Sequence, residues 1–185
     1  MKKIIIFYLL IALALILLQN CSSHLEDAKQ YTATNKKTGA IFLTELAQIC
    51  GKGYVVSHSH SEAIQGTQGW SVNSVFYIRQ DAKVRSIVEA TQTSRWHIAR
   101  FMECMFVISD KEKLNTIQAK VTYTSLNDIL NPLVVGEYSF DRKTLDQLPN
   151  WKEEVPFFDR NRVNQFIDMN MRTISENWSE LKLDK

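Results

Sequence analysis

Residues 38–109 place the strongest constraint on the fold, because two helix-like stripes alternate there with β-type runs. Each stripe has its largely apolar residues at the spacing i, i+3, i+4 and i+7, which is one face of an α-helix. The stripes are Leu43, Leu46, Ala47 and Cys50, followed by Val84, Ile87, Val88 and Thr91. Gly51 directly after the first stripe predicts its end. We therefore expect two helices in this stretch, each packing on a sheet.

The runs between and after the stripes predict strands and one loop. Residues 54–56 are apolar and 71–79 alternate apolar with polar, as short strands do. Residues 58–69 are polar with two glycines, which predicts a loop. Residues 96–100 and 105–108 are β-type runs and predict a hairpin. With a short first strand at 30–34, the expected order is βαββαββ in an α+β sandwich.

The residues 42–51, FLTELAQICG, followed by Tyr54-Val55-Val56, resemble the opening of the secretin and TonB short N-terminal domain. In that family a helix of the type L-x-x-L-A-x-x-x-G leads into an apolar strand. Residues 82–88 are similar to the second helix of that family. The resemblance implies a secretin N-domain-like module, with two helices between a two-stranded and a three-stranded sheet. It also implies association through strand edges and helix faces, including with identical subunits in a ring.

The first twenty residues have the layout of a secretory leader. Lys2 and Lys3 precede an apolar run at 4–18, which is short against the roughly 20 residues that a bilayer span needs. The following Leu18-Gln19-Asn20-Cys21 resembles the lipobox of bacterial lipoproteins, with Asn20 departing from the usual small residue. That resemblance implies a lipid on Cys21, and Ser22 implies sorting to the outer membrane, facing the periplasm. The alternative is an uncleaved signal anchor, which also places the protein in the cell envelope.

The sequence divides into four parts: a leader at 1–20, a flexible tether at 21–37, the α+β module at 38–109 and an accessory segment at 110–185. In the accessory segment we expect a strand at 117–123 and then a helix at 125–133, opened by a capping box. An aromatic-rich loop at 140–158 follows. The stripe from Val163 to Leu181, which includes Ile174 and Trp178, predicts a C-terminal amphipathic helix. A lipidated N-domain without a pore domain resembles the small lipoproteins of the DotD type in type IV secretion systems.

Cys50 and Cys104 remain once Cys21 is assigned to the lipid. An oxidising compartment allows the two to form a disulfide. Buried free thiols are the alternative, because cysteine packs as a small hydrophobe. The sequence leaves both readings open.

Charge and motif content narrow the classes of function. Without Lys2 and Lys3, the 22 basic residues fall to 20 and equal the 20 acidic ones, so we expect no nucleic-acid partner. His58 and His60, with Glu62, are the only candidates for a metal cluster, and Cys104 or His97 would have to complete it. A polar surface loop explains the same residues, so we expect no metal and no cofactor.

No sequence motif of a nucleotide-binding loop, a zinc protease or a serine hydrolase occurs in the chain. We therefore expect a membrane-anchored envelope lipoprotein, not an enzyme, that docks other proteins in a secretion, pilus or export complex. One alternative is a periplasmic lipoprotein that binds a small ligand or peptidoglycan near Tyr54, Trp70 and Trp96. A third is an envelope hydrolase that uses His58, His60 and His97.

Overall fold

The computed structural model describes residues 24–53, 56–78, 86–125, 128–146 and 172–180. The leader, Cys21 and residues 147–171 lie outside these ranges, and of the loop expected at 140–158 the described part is the end of a strand followed by the helix Arg142–Leu145. The helices are α1 (His24–Thr34), α2 (Gly39–Cys50), α3 (Ile87–Ile108) and α4 (Arg142–Leu145). The strands are β1 (Val56–Gly66), β2 (Gly69–Ile78), β3 (Leu114–Ser125), β4 (Asp128–Asp141) and β5 (Arg172–Glu176), with 3-10 turns at Asp110–Glu112 and Trp178–Glu180. The expected mixed α+β class is confirmed.

All five strands belong to one sheet in the order β1-β2-β3-β4-β5. β2 and β3 are parallel, and the other neighbours are antiparallel. A parallel pair needs a long crossover, which α3 provides. Within the described ranges the helices do not lie between two sheets, so the expected two-sheet arrangement is not observed. Strand pairing also crosses the boundary expected at residue 109, because β2 pairs with β3.

The core lies between one face of the sheet and the helices α2 and α3. Ser74, Phe76 and Ile78 on β2 are buried, as the alternating pattern predicts, while Tyr77 on the other face is 42% exposed. The rings of Phe76 and Phe101 meet edge to face with centroids 4.9 Å apart. These two rings join the middle of the sheet to the middle of α3.

The hairpin expected at 96–108 is wrong, because these residues belong to the 22-residue helix α3. No glycine or proline interrupts the helix between Ile87 and Ile108. The Ser86 side chain accepts a hydrogen bond from the Glu89 backbone N–H and caps the helix. The buried residues Ala90, Ser94, His97, Ile98, Phe101, Met102 and Met105 lie on one helical face. Burial of that face outweighs the β propensity of the aromatic and β-branched residues.

The loop expected at 58–69 is also wrong. Residues 56–66 form β1, which pairs with β2 through a turn at Thr67 and Gln68. The polar composition arises because β1 lies at the edge of the sheet formed by the described strands, with one face largely exposed.

The accessory segment differs from the prediction in two places. The helix expected at 125–133 is wrong from Asp128 onward, where the chain pairs with β3 as part of β4. Ile174, expected in a C-terminal helix, lies in β5, which pairs with β4. Strand pairing overrides the local helical pattern in both places, with the adjacent strand β3 in the first and with the sequence-distant strand β4 in the second. The rest of that stripe, apart from the buried Trp178, lies outside the described residues.

The tether expected at 21–37, with a strand at 30–34, is helical from His24 to Thr34. Leu25 and Ala28 are buried one helical turn apart, and the Tyr31 ring stacks on Phe42 of α2 with centroids 5.8 Å apart. This apolar face packs α1 onto the domain, so the segment is not a free spacer.

Replacement of Phe76 by alanine tests the face assignment of β2. We expect F76A to lower the free energy of unfolding by about 3–5 kcal/mol, because a buried ring leaves a cavity. The matched control is Y77A, which removes an aromatic ring from the opposite face and changes stability by much less. Urea denaturation of both variants measures the difference. Equal losses would contradict the alternation.

Candidate functional site

Three of the four histidines gather where α2 ends. The His58 ring on β1 and the His97 ring on α3 both contact Phe76, with centroids 5.5 and 5.8 Å away. His24, at the start of α1, is close enough to His97 to affect its pKa. The chain turns at Gly51 and Gly53, where a Cβ on Gly53 would collide with the His97 ring. This junction is the candidate site.

His97 is buried and holds the end of α2. Its Nε2–H donates a hydrogen bond of 3.1 Å to the Gly51 carbonyl, which fixes the neutral tautomer with the proton on Nε2. Burial lowers the pKa of His97 to about 4, and the positive charges nearby act in the same direction against the Gly51 hydrogen bond. A neutral imidazole therefore closes the junction at pH 7.

His58 takes part in a hydrogen-bond chain across the hairpin. A 2.7 Å hydrogen bond joins His58 Nε2 to Ser61 Oγ, and another of 2.7 Å joins Ser61 Oγ to Ser74 Oγ. A serine next to an imidazole is the first element of a nucleophilic dyad. Burial lowers the pKa of His58 to about 4, which makes it a weak base at pH 7. Among the described residues no carboxylate hydrogen-bonds to His58 to orient it, so the arrangement resembles a structural network.

His60 does not join His58. A β-bulge between His58 and His60 changes the register, so that His58 pairs with Phe76 and His60 with Val75. Phe76 is on the buried face of β2, and paired residues share a face of the sheet. His60 therefore lies on the opposite face from His58. The described residues contain no group of three or more His, Cys, Asp or Glu side chains that could hold a metal ion.

A disulfide joins Cys50 at the end of α2 to Cys104 in α3, with the two Cα atoms 5.8 Å apart. Of the two alternatives that the sequence left open, a disulfide or two buried free thiols, the structure thus contains the disulfide. The Cys104 sulfur lies 3.9 Å from the His24 carbonyl oxygen. The cross-link therefore holds α2 and α3 together at the point where α1 begins.

An open cleft of about 400 Å³ lies beside the junction. Side chains from α2, β1 and β2 line it, including Gln48, Lys52, Ser57, His58 and Tyr77. Lys52 is the one charged residue among the cleft's described lining residues. Amide, hydroxyl and ammonium groups suit a small polar ligand, but none of these side chains forms an assembled catalytic set.

The aromatic residues of the second sequence hypothesis do not form one pocket. Tyr54 lies outside the described residues. The Trp70 backbone N–H donates to the Lys113 carbonyl, just beyond the end of α3. Trp96 is twelve residues before that end, roughly 18 Å along the helix, and its ring lies under the Arg100 guanidinium. Trp70 and Trp96 therefore belong to different parts of the domain.

The sequence reasoning missed a second polar cluster, between α3 and the other edge of the sheet. The Tyr138 hydroxyl donates a 2.7 Å hydrogen bond to Glu176 Oε1, and Arg95 Nε lies 3.6 Å from the same oxygen. Burial, followed by the Glu176 carboxylate, raises the pKa of Tyr138. The group joins β4, β5 and α3, which are far apart in sequence, so no local motif could identify it.

No protein-family model, curated protein or solved structure matches the chain. None of the helices in the described part of the chain combines the length and the apolar composition needed to span a bilayer.

Stability against pH tests the state of His97. Its folded pKa of about 4 is below the ordinary 6.5, so between these values the unfolded chain binds more protons. The free energy of unfolding should therefore rise from pH 4 to 6.5, with His97 accounting for about 3 kcal/mol. Urea denaturation should show a weaker rise for H97Q, because glutamine keeps a donor for Gly51 but does not titrate. The control is H60Q on the open face, and identical slopes in all three proteins would contradict this role.

Proposed function

We propose that the protein is a lipid-anchored component of the cell envelope that acts as a docking subunit of a secretion, pilus or export complex. The observation that carries this proposal is the leader followed by Leu18-Gln19-Asn20-Cys21. The lipid on Cys21 would hold the protein on the outer membrane, facing the periplasm. An uncleaved signal anchor, which is the alternative to lipidation, would also place the protein in the cell envelope.

The disulfide between Cys50 and Cys104 supports an envelope location. Disulfides form and persist in the periplasm and at cell surfaces, while reducing systems in the cytoplasm keep thiols free. The cross-link and the leader are independent features of the chain, and both favour export.

The edge of β1 supports the docking role. In the described part of the chain, no strand pairs with the outer side of this eleven-residue strand. Edge strands are commonly protected against strand addition by lysine, proline, a bulge or another charge. β1 has no lysine or proline, so its protection consists of the bulge at Ser59 and the charge of Glu62. An extended segment of a partner, or the same edge of a second copy, could add to this strand through backbone hydrogen bonds.

A relation to the secretin N-domain forms part of the proposal. The observed order α2-β1-β2-α3-β3-β4 has the succession αββαββ, but β3 and β4 lie at 114–141, beyond the module expected at 38–109. The single five-stranded sheet is where the fold departs from the expected module. Strand addition at an open edge requires only the sheet, so the docking proposal does not depend on that relation.

Mass spectrometry of the N-terminal peptide tests the anchor. We expect the mature wild-type protein to begin at Cys21 with acyl groups attached, and C21S to keep residues 1–20. The control S23A leaves the cysteine in place and should be processed as the wild type is. An unmodified wild-type protein that retains its leader would overturn the lipidation and favour the signal anchor.

A photo-crosslinking residue at position 64 tests the docking edge in intact envelopes. Ile64 lies on β1 and is 46% exposed, while Ile41 on α2 is 60% exposed and serves as the matched control. We expect discrete adducts from position 64, with another envelope protein or a second copy, and few from position 41. Equal yields from both positions would contradict a role for the β1 edge.

A further inference from the structure

The helices α1 and α2 are antiparallel, which gives the domain two distinguishable ends. The start of α1 lies beside the end of α2, because the His24 carbonyl is next to the Cys50–Cys104 disulfide. At the other end of α1, the Tyr31 hydroxyl donates a 2.6 Å hydrogen bond to Glu45 on α2. An eleven-residue helix separates the two ends by roughly 16 Å.

The first of these, the anchor end, is formed by His24, Lys52 and Arg100 around the disulfide. Lys52 is exposed, and Arg100 is held with its guanidinium 4.6 Å from the centre of the Trp96 ring. Burial lowers the pKa of His24, with further contributions from Arg100 and Lys52 and an opposing one from Asp27. These influences place the three basic residues in one neighbourhood.

The opposite or far end is formed by the start of α2, the start of β2 and the turn after α3. The Gly39 N–H donates a 2.9 Å hydrogen bond to Glu112 Oε2. The Trp70 N–H donates a 3.0 Å hydrogen bond to the Lys113 carbonyl. Lys113 is exposed, as Lys52 is. The two lysines therefore mark the two ends of the domain.

The chain leaves very little length between the lipid site and the folded domain. Only Ser22 and Ser23 separate Cys21 from His24, the first residue of α1. Three Cα–Cα steps of about 3.8 Å span at most about 11 Å. A lipid on Cys21 would thus hold the start of α1 close to the headgroup layer.

We infer that the domain rests on the bilayer that receives the Cys21 lipid, with the anchor end against the headgroups and the far end directed away from it. This inference rests on the proposed lipidation of Cys21. Its partner is the lipid surface itself, and the contact surface is the anchor end.

The short connection, not charge, sets this contact. Arg100 has the Glu103 carboxylate nearby, and His24 has Asp27 nearby, so two of the three basic groups of the anchor end are offset by acidic ones. The attraction of the anchor end to anionic lipids is therefore small. We expect the same contact on neutral and on anionic vesicles.

Acylation of surface lysines tests the orientation. The full-length lipidated protein is reconstituted into vesicles of phosphatidylcholine, with or without phosphatidylglycerol, and vesicle-bound protein is collected by flotation. A membrane-impermeant amine reagent is applied, and peptide mass spectrometry gives the ratio of labelling at Lys52 to that at Lys113. The matched control inserts a Gly/Ser linker of about ten residues between Ser23 and His24, which adds a mean reach of roughly 17 Å.

The labelling ratio should be several-fold lower in the native protein than in the linker variant, on both kinds of vesicle. Equal ratios in floated protein, or stronger protection of Lys113, would overturn the inference while leaving the lipid anchor intact. A native protein that lacks the lipid and does not float would overturn the proposed lipidation, and the inference with it.

Discussion

The parallel pairing of β2 with β3 is the constraint on which the rest of the domain depends. A tight turn cannot join parallel neighbours, so the chain must leave the sheet after β2 and return through α3. The helix covers the sheet on the way and buries Phe101, Met102 and Phe106 completely. Two parts of the candidate site, His97 and the Cys104 half of the disulfide, are then positioned by α3.

One side chain from a distant part of the chain holds the connection between the end of α3 and the start of β3. Arg142, at the start of α4, donates hydrogen bonds of 2.9 Å to the Phe106 carbonyl and 2.7 Å to the Leu114 carbonyl. It also pairs with Asp110 at 3.0 Å. A guanidinium group can serve all three acceptors because it presents several donors in a fixed plane. The turn into β3 therefore depends on a residue that follows β4.

The disulfide between Cys50 and Cys104 adds a covalent contribution to stability on the other side of α3. A cross-link between positions 54 residues apart restricts the unfolded chain by roughly 4 kcal/mol in the chain-entropy model. That amount is a large share of the 5–15 kcal/mol by which a typical domain is stable. The cross-link and the His97–Gly51 hydrogen bond both connect α3 to the end of α2. Conditions that allow the disulfide to form therefore stabilise this junction.

The sequence predicted two elements well from their local pattern, while the second helical stripe was wrong, because Ile87 and Val88 are 36% and 64% exposed. The stripe of α2 and the alternation of β2 both agree with burial, from Leu43 and Leu46 to Phe76. It failed at 96–108, where aromatic and β-branched residues in a helix resemble strands until the whole buried face is considered. It failed again at β1 and β4, where hairpin pairing with the preceding or following strand decides the structure, β1 with β2 and β4 with β3. At the site, the pairing of Cys50 with Cys104 was one of two alternatives, while the Tyr138–Glu176 contact had no local signal.

The geometry of β1 connects the docking edge with the orientation of the domain. The His58 N–H donates to the Gly51 carbonyl at the anchor end, and Gln65 pairs with Trp70 near the far end. These seven steps along the strand span roughly 23 Å. If the anchor end faces the headgroups, the open edge of β1 extends from the membrane outward. A strand added there would follow the same direction, so in the proposed orientation a partner approaching from the side away from the membrane would meet the far end of the edge first.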